Sequence, residues 1–408
     1  MSADNGNNYR FTAGGSVFQL NLTAGHNIIK KCKERKMTMS AITTINVSML
    51  GPSRCGKTSM LASMLNRAQD VFHGITGMGD VSLGISDGDV FTRTNIDRAY
   101  QSLVGYYNRK DTKEPFLNDS EGIGVLGTGV SNTYKFTMKA RGSDMVDFNF
   151  YDFPGGYFME NACKNYGDAD IDNAHKKLAK SDIIYITIDT PYLMTGDKDI
   201  NERRNISESI CKYACKVLKE ENTNMTVKKT VIFVPMKSEK WIINYDNNNN
   251  NHMSISDSGC KKVLEKVKET YATLIEFVKE SEGLLLWGYM PLATLGGVRF
   301  KEFSEKKDND DNKLELFEYV PGNFTSPAMI NSKYLLTYAI WIGILDICFK
   351  VQLAVDKIGF FERMFTDNYE RGMLLLNYFG GLRKALNADA SFGKMFRRDS
   401  LHDGCGIF

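Results

Sequence analysis

The octapeptide Gly51-Pro52-Ser53-Arg54-Cys55-Gly56-Lys57-Thr58 narrows what this chain can fold into more than any other stretch. It reads GxxxxGKT, and both flanks have matching textures. Ile45, Val47 and Met49 alternate with polar residues ahead of it, predicting a strand from Thr44; Lys57 to Phe72 carry helical apolar spacing. A strand that enters a Gly-rich turn and leaves as a helix points successive backbone N–H groups into one concavity. The helix N-terminus adds a positive dipole there. Such a concavity suits phosphate oxygens. Lys57 is then the point charge for the β- and γ-phosphates and Thr58 a hydroxyl ligand for Mg²⁺. Gly51, Pro52, Ser53, Arg54, Cys55, Gly56 and Ser59 complete the binding loop and first helical turn.

The rest of the chain bounds the setting. At 408 residues and roughly 150 per domain, two or three domains or one enlarged domain are expected. The 51 Lys and Arg nearly cancel 49 Asp and Glu, which argues against a nucleic-acid protein held by phosphate neutralisation. With 24 Phe and 19 Tyr, the chain is too aromatic to be disordered as a whole. Its cysteines form no CxxC pair, and Cys211 and Cys215, four apart in a helical pattern, read as helix-face thiols rather than half a metal site. A reducing cytoplasmic location fits this usage. No signal peptide is expected, and the apolar stretch Leu335 to Phe349 is interrupted by Asp346 and too short for a transmembrane segment.

Three regions are expected: an N-terminal extension (1–40), a P-loop domain with insertions (41–355) and a C-terminal helical extension (356–408). Residues 73–91 read as a Gly/Asp-rich loop, followed by a helix from Thr92 to Asn108. Thr133–Lys139 and Met145–Asp152 alternate cleanly about a short turn and predict an antiparallel hairpin. Asp182–Asp189, Thr230–Pro235 and Leu284–Pro291 are short, almost wholly apolar runs, as in interior strands of a parallel sheet covered on both faces. Helical patterns at 202–220, 257–280 and 333–355 separate or follow them. The tracts Asp246–His252 and Lys306–Lys313 bury nothing and read as solvated loops. The expected fold is α/β: a P-loop NTPase with a mostly parallel sheet, one antiparallel hairpin edge, and helices on both faces.

Asp152-Phe153-Pro154-Gly155 ends the second hairpin strand. A carboxylate at a strand terminus can hold a Mg²⁺ shell, and a glycine three residues later can offer its N–H to a γ-phosphate without steric cost. The order of phosphate loop, hairpin and DxxG resembles the Ras-like and translation-factor (TRAFAC) class of P-loop GTPases. That resemblance covers about residues 41–355 and implies a molecular switch that binds GTP or GDP with Mg²⁺ and hydrolyses GTP. Catalytic roles would fall to Lys57, Arg54, Asp152, Gly155 and Thr128. The metal would lie at Thr58, Asp152 and Thr128, the last in Gly127-Thr128-Gly129; Thr133 is the alternative switch I threonine.

In this class an N/T-K-x-D motif reads guanine. Met236-Lys237-Ser238-Glu239 stands in the corresponding place with the Lys kept and Glu for Asp, so Lys237 and Glu239 are the expected base contacts. Ala293 and Thr294 occupy the position of the S-A-K loop. Where a Ras-type glutamine would follow DxxG, this chain has Gly156 and Tyr157. Arg54 is similar to the P-loop arginine of guanylate-binding proteins, which implies a built-in arginine finger when two domains meet. Self-association or a protein partner is expected through the switch regions or the C-terminal helices, whose Phe360, Phe361, Met364 and Phe365 are expected to pack on the P-loop domain or on a partner, and not on a membrane. Cys405-Gly406-Ile407-Phe408 reads as an ordinary chain end rather than a prenylation site. The competing readings are a nucleotide-binding scaffold with little hydrolysis and an ATPase.

Overall fold

The computed structural model describes residues 43–66, 81–107, 116–117, 131–140, 142–159, 166–220, 229–246, 252–281, 285–293, 298–307, 313–319, 331–332 and 334–340, together with N-terminal strands within 3–21. Those strands, β1 (Ala3–Asp4), β2 (Asn8–Ala13) and β3 (Ser16–Asn21), form an antiparallel meander. Thr128, Thr294, residues 341–355, the aromatic cluster from Phe360 and Cys405–Phe408 lie outside the described residues.

The main sheet begins with β4 (Thr43–Leu50), which feeds the phosphate loop and helix α1 (Lys57–Asn66). Next come β5 (Val81–Ile85), α2 (Val90–Tyr107), β6 (Phe116–Leu117), β7 (Asn132–Ala140) and β8 (Ser143–Asp152). A 3-10 turn at Gly155–Phe158 leads to α3 (Asp168–Ala179), β9 (Ile183–Asp189), α4 (Thr190–Leu193), α5 (Lys198–Asn205) and α6 (Ser207–Glu220). Then follow β10 (Lys229–Met236), α7 (Glu239–Ile242), the pair β11 (Ile243–Asp246) and β12 (His252–Ile255), α8 (Asp257–Thr270), α9 (Ala272–Glu280) and β13 (Leu285–Tyr289). The hairpin β14 (Val298–Lys307) and β15 (Lys313–Tyr319) precedes helical residues 334–340.

Seven strands form the sheet in the order β13-β10-β9-β4-β8-β7-β5. The first five are mutually parallel, and β7 and β5 are added antiparallel. The period of two sorts its side chains onto opposite faces. Ile45, Val47, Met49, Tyr185, Ile232 and Val234 pack with α1, α2 and helical residues 334–340. Ile184, Ile186, Ile188, Val231 and Phe233 pack with α3, α6, α8 and α9. Every residue of β9 and β10 is buried, as expected for strands covered on both sides.

Three expectations need correction. Residues 73–91 are not all loop, because Val81 and Leu83 turn inward and β5 pairs with β7 through Leu83↔Met138. The β7–β8 hairpin is consequently not the sheet edge; β5 lies outside it. The two low-complexity tracts are not loop from end to end. Asp246 pairs with His252 and Lys307 with Lys313, so each tract begins and ends in paired strand residues.

Candidate functional site

From β4 the chain runs to β8, β7 and β5 on one side of the sheet, and to β9, β10 and β13 on the other. The ends of β4, β8 and β9 therefore meet at a reversal of strand order, where parallel sheets open a crevice. Register brings Met49 beside Asp152 and Leu50 beside Ile186, so the phosphate loop, the DxxG segment and the end of β9 converge.

The loop is held by its own backbone and by β9. Lys57, only 5% exposed, folds its ammonium over the loop and donates to the carbonyls of Gly51 (3.1 Å) and Pro52 (2.8 Å). Thr187 donates to Leu50 O at 3.0 Å and lies 3.2 Å from Cys55 Sγ. A Cβ on Gly51 would stand 1.9 Å from Thr187 Oγ1, so glycine there is a demand of close approach. Gly56 has φ +106° and Arg54 φ +63°, the left-handed region that a side chain adopts only at a cost. Ser53 and Arg54 are exposed, Pro52 and Cys55 buried, Thr58 half-buried and Ser59 buried at the helix start.

Asp152 lies at the end of β8 with no exposed surface, and the Thr58 hydroxyl donates to its Oδ2 at 2.8 Å. Gly155 sits against the loop itself: a Cβ there would be 2.4 Å from Ser53 N and 2.8 Å from Pro52 C. The structure thus brings Gly51–Thr58, Asp152 and Gly155 into contact. Gly156 is pressed against Tyr166, whose hydroxyl would lie 2.6 Å from an added Cβ, and Tyr157 is buried with its ring 4.5 Å from that of Tyr166. Thr133 accepts a 3.1 Å hydrogen bond from Lys177, whose ammonium also lies 5.3 Å from the centre of the Tyr151 ring.

The expected base-contact residues are neighbours but are engaged with protein. Ser238 N–H donates to Leu292 O and Leu292 N–H to Pro235 O, which lays the segment ending at Ala293 beside Met236–Glu239. Lys237, with φ +54°, donates from Nζ to Asp189 Oδ2 at 2.8 Å and to Glu315 Oε2 at 2.6 Å. Burial alone would lower the Lys237 pKa, but the two carboxylates outweigh it and raise it. Asp189 is pushed up to about 8, first by burial and then by the neighbouring Glu315 carboxylate, against the pull of Lys237. One ammonium between two buried carboxylates does not fully compensate both, so the pair keeps a proton well above the usual carboxylate range. Glu239 opens α7 and is 2% exposed.

Thr187, Asp189 and Glu315 had no role in the sequence reading. Asp189 had a visible signal, an acidic residue ending the apolar run DIIYITID; Glu315, in an alternating stretch beside a low-complexity tract, had none. Among the described residues there is no cluster of three or more His, Cys, Asp or Glu placed to hold a metal, and no helix long and apolar enough to cross a membrane. No family model matches this chain, and no curated protein matches it either.

Proposed function

We propose that the chain binds GTP with Mg²⁺ through Gly51–Thr58 and hydrolyses it, working as a molecular switch of the P-loop GTPase type. The observation that carries this reading is the joint placement of Thr58, Asp152 and Gly155 on the loop that contains Lys57. A hydroxyl and a carboxylate 2.8 Å apart beside a lysine are hard oxygen donors of the kind Mg²⁺ takes with a phosphate. Thr58 and Asp152 would hold the ion, which when bound neutralises charge on the phosphates. Lys57 exchanges its carbonyl partners for phosphate oxygens, and Ser53 and Arg54 are exposed within the same loop. Gly155, already on the loop, has the freedom to offer its N–H as a phosphate sensor, coupling the bound state to the 3-10 turn after it.

A second reading, binding with little hydrolysis, is favoured by Gly156 and the buried Tyr157, since neither can orient a water. Nucleotide binding to the purified chain, GTP against ATP, followed by phosphate release, separates these readings. Tight GTP binding with slow release supports the scaffold; equal affinity for both nucleotides supports an ATPase or a base-indifferent site.

A further inference from the structure

Lys237 is 7% exposed and Glu239 2%, so a base cannot lie on either residue as they stand. The covering element is the β14–β15 hairpin. Trp241 stacks on Phe300 with ring centres 5.8 Å apart, Tyr192 meets Phe303 at 4.8 Å, and the Tyr192 hydroxyl donates to Lys313 O at 2.5 Å. Between these contacts Glu315 reaches in to Lys237.

The hairpin lies outside the seven-stranded sheet, in a small sheet of its own in which β15 also pairs with β6 through Leu316↔Leu117 and Phe317↔Phe116. Its apolar residues Val298, Phe300 and Phe317 form their own small cluster, joined through Trp241 to the core on the α6, α8 and α9 face of the sheet. Half of β14 is exposed, and the ring contacts of Trp241 with Phe300 and of Tyr192 with Phe303 join the hairpin to the domain. Glu315, 1% exposed, is then an unexpected residue for packing alone. A buried ion pair stabilises a fold little better than apolar residues of the same volume, and its best-attested use is in register and switching. Lys237 also holds a left-handed backbone, the kind of local strain that surrounding contacts maintain at switch regions.

On the reading that Gly51–Thr58 hold a guanine nucleotide, we infer that the β14–β15 hairpin is a lid over the base side of the site, shut by the Lys237–Glu315 ion pair. The base gains access to Lys237 and Glu239 when the lid lifts. A site that is competent only in a minor open state has its affinity reduced by the open fraction, so weakening the lock tightens binding.

The test is Glu315→Gln in the full chain, which keeps volume and an acceptor for Lys237 but removes charge. Affinity is read with a fluorescent GTP analogue, and lid opening by amide hydrogen exchange in Val298–Lys307 and Lys313–Tyr319. The lid predicts faster exchange there and about 10-fold tighter GTP binding, the difference between a charged and a neutral hydrogen bond. Tyr192→Phe, which loses only the bond to Lys313, is predicted to tighten binding about 3-fold and stands in should Glu315→Gln misfold. Faster exchange with unchanged or weaker GTP affinity overturns the lid and leaves the nucleotide reading intact. Absence of GTP binding by wild type and both variants, with the hairpin opened, overturns both.

Discussion

The hydroxyl of Thr58, at the start of α1, donates to Asp152 at the end of β8 over 2.8 Å, joining positions 94 residues apart in the chain. This bond closes the protein side of the proposed metal site. Thr58→Val removes the donor and is expected to lower stability by about 1 kcal/mol. Asp152→Asn keeps an acceptor for Thr58 but loses the negative charge. It should melt close to wild type while nucleotide affinity stops responding to Mg²⁺, as titration with and without a chelator would show. Unaltered Mg²⁺ dependence in both variants would place the metal elsewhere.

Gly155→Ala is predicted to disturb the phosphate loop directly. The added methyl meets backbone on two sides, at Ser53 N and Pro52 C, and backbone cannot swing away as a side chain can. Overpacking of this kind costs about 1–3 kcal/mol. Urea denaturation should show that loss, and GTP binding should weaken with it. A variant of wild-type stability would mean that the 3-10 turn moves freely off the loop.

Asp189 makes the fold pH-dependent with a defined sign. Its folded-state pKa is raised to about 8 from 3.8 by burial and by Glu315, so the native state holds a proton that the unfolded chain releases. The stability from that proton is fully present below the unfolded value and is lost as pH rises through the folded one. The melting temperature should therefore fall between about pH 4 and pH 8, and fall less steeply in Asp189→Asn, which carries no titrating group beside Lys237 and Glu315. Equal slopes in the two proteins would show that the proton resides on another group.

Arg54 is exposed, strained at φ +63°, and within the loop. If it acts as an arginine finger between two copies, phosphate release per molecule should rise with protein concentration. Arg54→Ala should flatten that rise and spare GTP affinity. An arginine finger contributes ~10³–10⁵ in rate, well above assay scatter. Turnover independent of concentration and unaltered in the variant assigns the arginine no catalytic part.

What the sequence made legible was local in origin. GxxxxGKT fixes a turn through its glycines and lysine, and the alternation of Tyr134, Phe136 and Met138 against Phe148 and Phe150 fixes a hairpin. Both survive in the structure because neighbouring residues specify them. The almost wholly apolar runs Asp182–Asp189 and Thr230–Pro235 were equally readable, since strands covered on both faces lack a polar face, and they appear as β9 and β10. β5 was obscured by its glycine and aspartate surroundings, although Val81 and Leu83 carry the inward pattern. The lid was obscured for a different reason. Glu315 meets Lys237 from 78 residues away, and an exposed-looking glutamate in an alternating strand gives no sign of a buried partner. Lys237 and Glu239 could be placed by position after β10, but the engagement of Lys237 by Asp189 and Glu315 is a tertiary fact.

The central claim is that the Gly51–Thr58 loop holds a nucleotide. It is tested most directly by titrating the purified chain with fluorescent GTP and ATP analogues, wild type beside Lys57→Ala, in Mg²⁺. Lys57 supplies the charge-assisted contacts to phosphate, and losing them should cost at least about 1.5–3 kcal/mol, roughly 10- to 150-fold in affinity. The account predicts saturable binding by wild type, tighter for GTP than for ATP, and a loss of that size in the variant. Near-wild-type affinity in Lys57→Ala, or no binding of either nucleotide by wild type, would contradict it.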